Sequence, residues 1–421
     1  MPELTAGIPV DRLPKTFRDA VVLCLNLDIQ YLWIDALCIK QDDTKDWEDA
    51  AASMADVYSH AKITIAATWS DDSNRGFFSQ MRTELEDMPM QEPGLYVRLP
   101  KPDFPRSIHV PVDDSWPLLK RAWVYQERKL STRMVHMAKE QLYWECDSAF
   151  LSEDGYENDR IIFLEDLRSP MEVPANAWRS AVGHYSRLKL TYKSDRLPAI
   201  SALVKRMQPL REGDVYVAGM WLNTVLQDLA WFVFERGNPT QLSRPDIKCP
   251  TWSWAATAYG VHWHSVEDLL PSLRLFDITY DVTGPAHFGQ TANASIRLEG
   301  PTITARYTTE KSFVLEMINI HGPYQALKGQ KIDGREDFYL KGADPPILPG
   351  EVFNILLMTV DSPSYGGIIL HQLSGEQYQR IGWSRLWYYK TTWPEHAPDW
   401  TEEQVLEDFV ASLPIKQFTI V

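Results

Sequence analysis

The apolar residues of the first 150 positions alternate between a helical and a strand-like spacing. Between residues 10 and 27 they recur at steps of three and four, as on one face of a helix: Val10, Leu13, Phe17, Val21, Cys24 and Leu27. Residues 31–34 are all apolar, which is typical of a strand buried on both faces of a parallel sheet. A second helical stripe, with Asp43 or Thr44 as its N-cap, consists of Trp47, Ala51, Met54, Tyr58 and Ala61. Residues 63–67 predict a second buried strand. The order helix, strand, helix, strand predicts an α/β domain with these two strands side by side in a parallel sheet.

The next stretch predicts a helix followed by a hairpin. The helix covers residues 116–128, and the hairpin strands cover residues 134–137 and 141–146 with a turn at 139–140. Residues 151–168 are acidic and lack a clear periodicity. They mark either a domain boundary or a solvated loop inside one domain.

Beyond this acidic stretch the pattern is first helical and then strand-like. Helices are expected around residues 178–188, 197–207 and 222–234. Short runs of strand-forming residues then recur between Gly, Pro and Asp, which predicts an antiparallel sheet or a barrel-like extension: residues 273–282, 295–298, 302–307, 313–320, 353–360, 367–370 and 385–389. The sequence therefore predicts three parts, an α/β domain (1–150), a mainly helical segment (151–250) and a β-rich region (251–421).

Composition and charge narrow the class of partner. The 421 residues are 44% hydrophobic and carry a formal net charge of -15. An acidic surface without a basic run repels nucleic acid and anionic membranes. No signal pattern or membrane-length apolar run is evident, and the four cysteines are widely spaced, so we expect a cytoplasmic protein in a reducing compartment. Cys24 and Cys38 lie in apolar stretches and are expected to be buried.

Three segments together resemble the fungal heterokaryon-incompatibility (HET) family. They are YLWIDALCIKQ at 31–41, RAWVYQER at 121–128 and QLYWEC at 141–146, and the resemblance covers roughly residues 8–147. Family members usually open with a strand and loop resembling ALSYxWG, and this sequence starts after that point. The resemblance implies a flavodoxin-like or TIR-like parallel sheet, here one strand short at the N-terminal side. It also implies non-self recognition and cell-death signalling, in which the chain acts as an interaction module with a protein partner or a second copy.

The distant resemblance to TIR domains gives the alternative of an enzyme. Some TIR domains cleave NAD with a glutamate on a helix shortly after a Trp, which matches Glu127 after Trp123. Glu127 would then stabilise an oxocarbenium-like state, Trp123 would stack on a ring of NAD, and Arg121 would bind a phosphate. The structural alternative pairs Glu127 with a neighbouring arginine, Arg121, Arg128 or Arg133. A third possibility is a truncated, inactive family member.

Two further candidates follow the first predicted strand. Asp35 stands at its carboxyl end, where open α/β sheets bind ligands, and would contact a ribose or a catalytic water. Gln41, in the same loop, would orient a ligand amide. Both residues could instead cap the local backbone. His262 and His264 lack a third ligand, so no metal site is expected, and NAD is expected only as a substrate.

Overall fold

The structure is a computed structural model, and it divides into two compact units. It describes residues 7–40, 42–78, 88–90, 92, 94, 96–97, 104–105, 112–155, 157–158, 173–234, 249–263, 268–309, 313–337, 340, 346–361, 364–387 and 401–421. Unit 1 comprises Met1–Arg168, Leu188–Leu190 and Pro198–Met207, and unit 2 comprises Ser169–Arg187, Thr191–Leu197 and Gln208–Val421. The three-part division at residues 150 and 250 stays a prediction, because compactness alone does not test it.

Unit 1 contains both helices and short strands, whereas unit 2 is mainly β. The α-helices are α1 Lys15–Asn26, α2 Asp35–Cys38, α3 Thr44–His60, α4 Ala122–Leu130, α5 Pro174–Tyr185, α6 Ser201–Met207, α7 Val225–Asp228 and α8 Glu402–Ser412. The strands of unit 1 are β1 Thr64–Ala66, β2 Met88–Pro89, β3 Tyr96–Val97, β4 Arg133–Met137, β5 Leu142–Cys146, β6 Phe150–Ser152 and β7 Glu157–Asn158. Those of unit 2 are β8 Tyr216–Val217, β9 Met220–Trp221, β10 Trp231–Val233, β11 Val261–Trp263, β12 Asp268–Leu269, β13 Arg274–Val282, β14 Thr291–Thr309, β15 Val314–Ile318, β16 Lys331–Glu336, β17 Val352–Asp361, β18 Ser364–Ser374, β19 Gln377–Trp387 and β20 Ile415–Ile420.

Unit 1 contains a five-stranded mixed sheet in the order β1-β4-β5-β6-β7. β1 runs parallel to β4, whereas β4 and β5 form the antiparallel hairpin that the sequence predicts. The second helical stripe is α3, and Asp43 caps it by accepting hydrogen bonds from the backbone N–H groups of Lys45 and Asp46. An α/β domain with a parallel strand pair is therefore confirmed.

The prediction of a buried strand at residues 31–34 is wrong. This segment is extended but belongs to no sheet of the described residues, and Tyr31 is 88% exposed. Its apolar side chains serve packing instead: Leu32 lies against a core cluster around Phe77, and the Trp33 ring meets Tyr58 edge to face. A run of apolar residues indicates that the side chains are buried. Buried side chains do not require the backbone to pair with a neighbouring strand. The expected side-by-side pair of central strands is therefore absent, and β1 is an edge strand.

Several other local predictions hold only in part. Cys24 is buried as expected, but Cys38 is exposed at the end of α2. The helix expected at 116–128 begins only at Ala122, after a short 3-10 turn at Leu118–Lys120. Residues 222–234 form a 3-10 turn at Leu222–Thr224, the short α7 and then β10. The long helix does not form because Trp231–Val233 pairs with β11, and tertiary pairing outweighs local helical preference.

Unit 2 is built around a nine-stranded sheet, which confirms a β-rich C-terminal region. The strand order is β12-β17-β18-β19-β16-β15-β14-β13, with β20 pairing β14 and β19. The two runs expected at 295–298 and 302–307 belong to one strand, β14. Arg380 is fully buried in this unit and is neutralised by Asp337, with 2.8 Å between its Nε and the carboxylate. Among the described residues, no helix has the length and apolar character needed to cross a membrane.

Candidate functional site

Glu127 lies in the penultimate turn of α4 and has an unusual electrostatic environment. Burial raises the pKa of its carboxyl group from 4.5 to about 7, and the negative charge of Asp35 adds to this rise. Arg121 and a hydrogen bond from the Tyr58 hydroxyl act in the opposite direction. The residue as a whole remains partly exposed, although its carboxyl group is desolvated. A carboxyl group that titrates near neutral pH is suited to proton transfer or charge stabilisation.

Two other helices bring Tyr58 and Asp35 towards Glu127. Tyr58 is in the last turn of α3, and its ring centroid lies 5.8 Å from that of Trp33. Burial, followed by the charges of Glu127 and Asp35, raises the pKa of the Tyr58 hydroxyl well above 10. The hydroxyl therefore stays protonated and can donate to the Glu127 carboxylate. The sequence assigned Tyr58 to core packing, and its polar tip was the signal that could have indicated this second role.

Asp35 is exposed and begins α2. Its Oδ1 accepts a hydrogen bond from the Ala36 backbone N–H at 2.7 Å. The sequence allowed Asp35 either to bind a ligand or to cap the local backbone, and this hydrogen bond is the backbone contact. It involves one oxygen of the carboxylate. The charge of Asp35 reaches both Glu127 and Tyr58, so Asp35 and Glu127 form one electrostatic group.

Arg121 and Trp123 lie at the start of α4. Arg121 is exposed and occupies the N-cap position, and its backbone forms a bridge with Lys189. The positive charge of its guanidinium lowers the pKa of the Glu127 carboxyl group. The Trp123 ring meets Trp47 edge to face, with 6.0 Å between centroids. Gln41, the remaining candidate, lies outside the described residues.

The cluster lies towards the amino ends of the parallel strands. The Glu127 carbonyl accepts a hydrogen bond from the Ser131 hydroxyl at 2.7 Å, and that hydroxyl lies 2.7 Å from the hydroxyl of Thr64, the first residue of β1. The prediction that Asp35 stands at the carboxyl end of a strand is wrong, because residues 31–34 form no strand. The rule that ligands bind at the carboxyl ends of open α/β sheets therefore does not support this site.

A second group of charged and polar side chains joins α4 to the sheet. It includes Arg128, the residue that follows Glu127. Glu145 Oε2 on β5 accepts from Arg128 Nε at 2.7 Å and from His136 Nε2 on β4 at 3.0 Å. The other ring nitrogen of His136 lies 3.2 Å from the Thr68 hydroxyl. Arg128, which the sequence offered as a structural partner of Glu127, therefore pairs with Glu145. The sequence patterns singled out neither Glu145 nor His136 as a charged centre.

Opposite pKa directions separate this centre from Glu127. Burial alone would raise the pKa of Glu145, but the charge of Arg128 and the hydrogen bonds from His136 and Arg128 hold it well below its usual value. Burial lowers the pKa of His136, against the attraction of Glu145. A neutral His136 with its proton on Nε2 donates to Glu145. The centre is therefore a paired, structural ion cluster at neutral pH.

Gln126 fixes α4 between the two centres. Its side chain is fully buried, and its Oε1 accepts from the Ala202 backbone N–H of α6 at 3.2 Å. Its Nε2 lies 3.6 Å from the Met54 sulfur of α3. The helix that carries Glu127 is thus held by neighbouring helices on one side and by the Glu145 ion cluster on the other.

The last candidates from the sequence are the histidines His262 and His264. His262 is on β11, with its ring 5.3 Å from that of Phe234, and His264 lies outside the described residues. In the part of the chain that the structure describes, no group of three or more His, Cys, Asp or Glu side chains could hold a metal ion. The Glu127 group instead combines a carboxyl group that titrates near neutrality with an exposed carboxylate, a phenol and an arginine.

These features define a mixed α/β domain with a titratable carboxylate cluster on its helices. Residues 2–127 match the sequence model of the family described as heterokaryon incompatibility protein (HET). The chain therefore carries a HET domain at its N-terminal side. Searches of curated proteins and of solved structures found no match.

Proposed function

We propose that this protein acts in heterokaryon incompatibility, where its HET domain serves as a signalling module for non-self recognition and cell death in a fungal cytoplasm. The observation that carries this proposal is the family match over residues 2–127. Signalling through such a module requires a protein partner or a second copy of the chain, so the proposal includes one of these.

Inducible expression of the full chain in a filamentous fungus tests this role. Viability after induction should fall relative to an uninduced culture and to a culture that expresses residues 173–421 at the same level. Equal viability in all three cultures at matched protein levels would contradict the proposal.

The Glu127 group supports a second candidate function, a TIR-like NAD glycohydrolase. Breaking the nicotinamide–ribose bond creates positive charge on the ribose, which a nearby carboxylate stabilises. Glu127 would supply that carboxylate, Asp35 would contribute further negative charge, and Tyr58 would hold Glu127 in place. The rise of the Glu127 pKa to about 7 favours this candidate, because strongly perturbed carboxyl groups concentrate at functional sites. The competing explanation is that Glu127 has a structural role and pairs with Arg121.

Nicotinamide release by the purified full chain separates the enzyme from the interaction module. The comparison uses Glu127→Gln, with Glu212→Gln as a matched control on an exposed residue of unit 2. The enzyme predicts at least a hundredfold loss in Glu127→Gln and no change in the control. Cell death that persists in Glu127→Gln, together with negligible turnover in every variant, would favour the interaction module.

A further inference from the structure

Strand β13, Arg274–Val282, forms an open edge of the nine-stranded sheet in unit 2. Among the described strands it pairs only with β14. Seven of its nine residues are exposed, including Phe276 at 47% and Val282 at 44%. The free side of an edge strand presents unpaired backbone N–H and C=O groups, which form a template for another strand. Any partner for β13 must therefore offer an extended segment.

The pairing of β13 with β14 defines its two faces. On one face, Thr279 meets Ser295 at 2.8 Å, and Asp277 and Asp281 accept hydrogen bonds from Arg297 and Asn293. On the other face, three apolar side chains stand opposite apolar residues of β14: Leu275 opposite Leu298, Ile278 opposite Ile296 and Tyr280 opposite Ala294. The strand is thus polar and charged on one face and apolar on the other.

A bulge in β13 determines which of its charges share a face. The register shifts between Leu275 and Asp277, so one extra residue stands at Phe276. Because side chains alternate along a strand, this extra residue puts Arg274 on the polar face together with Asp281. In the part of the chain that the structure describes, Arg274 makes no ion pair, although it is exposed.

We propose that β13 pairs antiparallel with β13 of a second copy of this chain, around a two-fold axis at Ile278. In this register Ile278 faces its own copy, Leu275 faces Tyr280 and Arg274 faces Asp281. Apolar residues meet apolar residues on one face, and two Arg274–Asp281 ion pairs form on the other. A two-fold interface is self-complementary in this way, since each contact away from the axis occurs twice.

Neighbouring registers are less favourable. An axis at Thr279 places Asp277 opposite Asp281, and an axis at Asp277 places that residue opposite itself. Like charges directly opposite one another destabilise a strand pair. A shift of one residue turns the apolar face of one copy towards the polar face of the other. Charge and apolar pattern therefore favour a second copy in a single register. The inference does not rest on the proposed function, because β13 lies outside residues 2–127.

Analytical ultracentrifugation of the full chain over a range of concentrations tests the pairing. The wild type should show a concentration-dependent dimer. Arg274→Asp or Asp281→Arg alone places like charges opposite each other twice, and each should weaken the dimer about tenfold. The double variant Arg274→Asp/Asp281→Arg restores opposite charges and should recover the wild-type dissociation constant. Lys328→Asp and Glu376→Arg, exposed elsewhere in unit 2, are matched controls that should dimerise as the wild type does.

Hydrogen exchange provides a second, variant-free measurement. Amide protection in residues 274–282 should increase with protein concentration, because the free backbone groups of β13 become paired. A wild type that stays monomeric at all concentrations would overturn the proposal. A dimer that both single variants leave unchanged, or that the double variant fails to restore, would equally overturn it.

Discussion

Two glutamates of unit 1, Glu127 and Glu145, have opposite electrostatic environments. Glu145 lies between Arg128 and His136, and its pKa is well below the usual value. Glu127 has a second carboxylate and a phenol as neighbours, and its pKa is raised to about 7. Both groups are desolvated, so burial alone does not separate them. The difference shows that the charge of the nearest partner decides whether a buried carboxylate stabilises the fold or remains available for chemistry.

Removing Glu145 should have the largest effect on stability. Glu145→Ala leaves Arg128 and His136 without their negative partner, and breaking a buried ion pair from one side costs about 3–5 kcal/mol. Hydrogen exchange of the β4 and β5 amides measures this loss locally in unit 1. The result would mark Glu145 as a residue of the fold.

A double variant sharpens this prediction. Arg128→Met combined with Glu145→Leu replaces both charges by apolar side chains and should recover most of the lost stability, because no charge remains unpaired. If the double variant is as unstable as Glu145→Ala, the loss comes from packing, and the ion cluster has no special role.

Local patterns predicted much of the helical framework around both glutamates. Asp43 caps α3 and the hairpin of β4 and β5 forms as expected, because capping and hairpin formation depend on neighbouring residues. The strand at 31–34 failed, since strand formation depends on a partner that is distant in sequence. The rank of Glu127 as a candidate came from its resemblance to a motif, and its coupling to Tyr58 and Asp35 depends on three helices meeting in space.

The same limit explains why the Glu145 cluster was missed. Its three members, Arg128, His136 and Glu145, are spread over α4, β4 and β5. Side chains alternate along β5, so Glu145 shares a face with Tyr143, but this alternation says nothing about which charge stands on the neighbouring strand. His136 sits within a short apolar run, where its side chain gave no signal beyond burial.

Replacing Glu127 should have the second-largest effect on stability. The replacement should stabilise the protein at alkaline pH, whereas the replacement of Glu145 destabilises it. The folded-state pKa of Glu127 is raised from 4.5 to about 7, so the folded protein holds a proton that the unfolded chain has released in this window. Stability is therefore full below pH 4.5 and falls as the pH rises through about 7. By pH 8 the loss amounts to about 3 kcal/mol. Glu127→Gln should remove this pH dependence and be more stable than the wild type at pH 8.

Hydrogen exchange of the α4 amides between pH 5 and pH 8, after correction for the intrinsic exchange rate, measures this effect. The Glu212→Gln control should retain the wild-type slope. A wild type without a falling stability in this window would mean that Glu127 is charged throughout, and the contrast with Glu145 would then disappear.

Neutralising Asp35 should have the smallest effect and tests whether the two carboxylates act together. Asp35→Asn keeps an oxygen for the Ala36 N–H but removes one cause of the raised Glu127 pKa. The pH midpoint of the α4 stability should therefore move down, while the larger contribution of burial keeps it above 4.5. Because Asp35 is exposed, the shift should shrink as added salt shortens the screening length from about 30 Å at 0.01 M to about 3 Å at 1 M. Asp42→Asn, at another exposed position, should leave the midpoint in place. An unchanged midpoint in Asp35→Asn at low salt would assign the raised pKa to burial alone and leave Glu127 without an acidic partner.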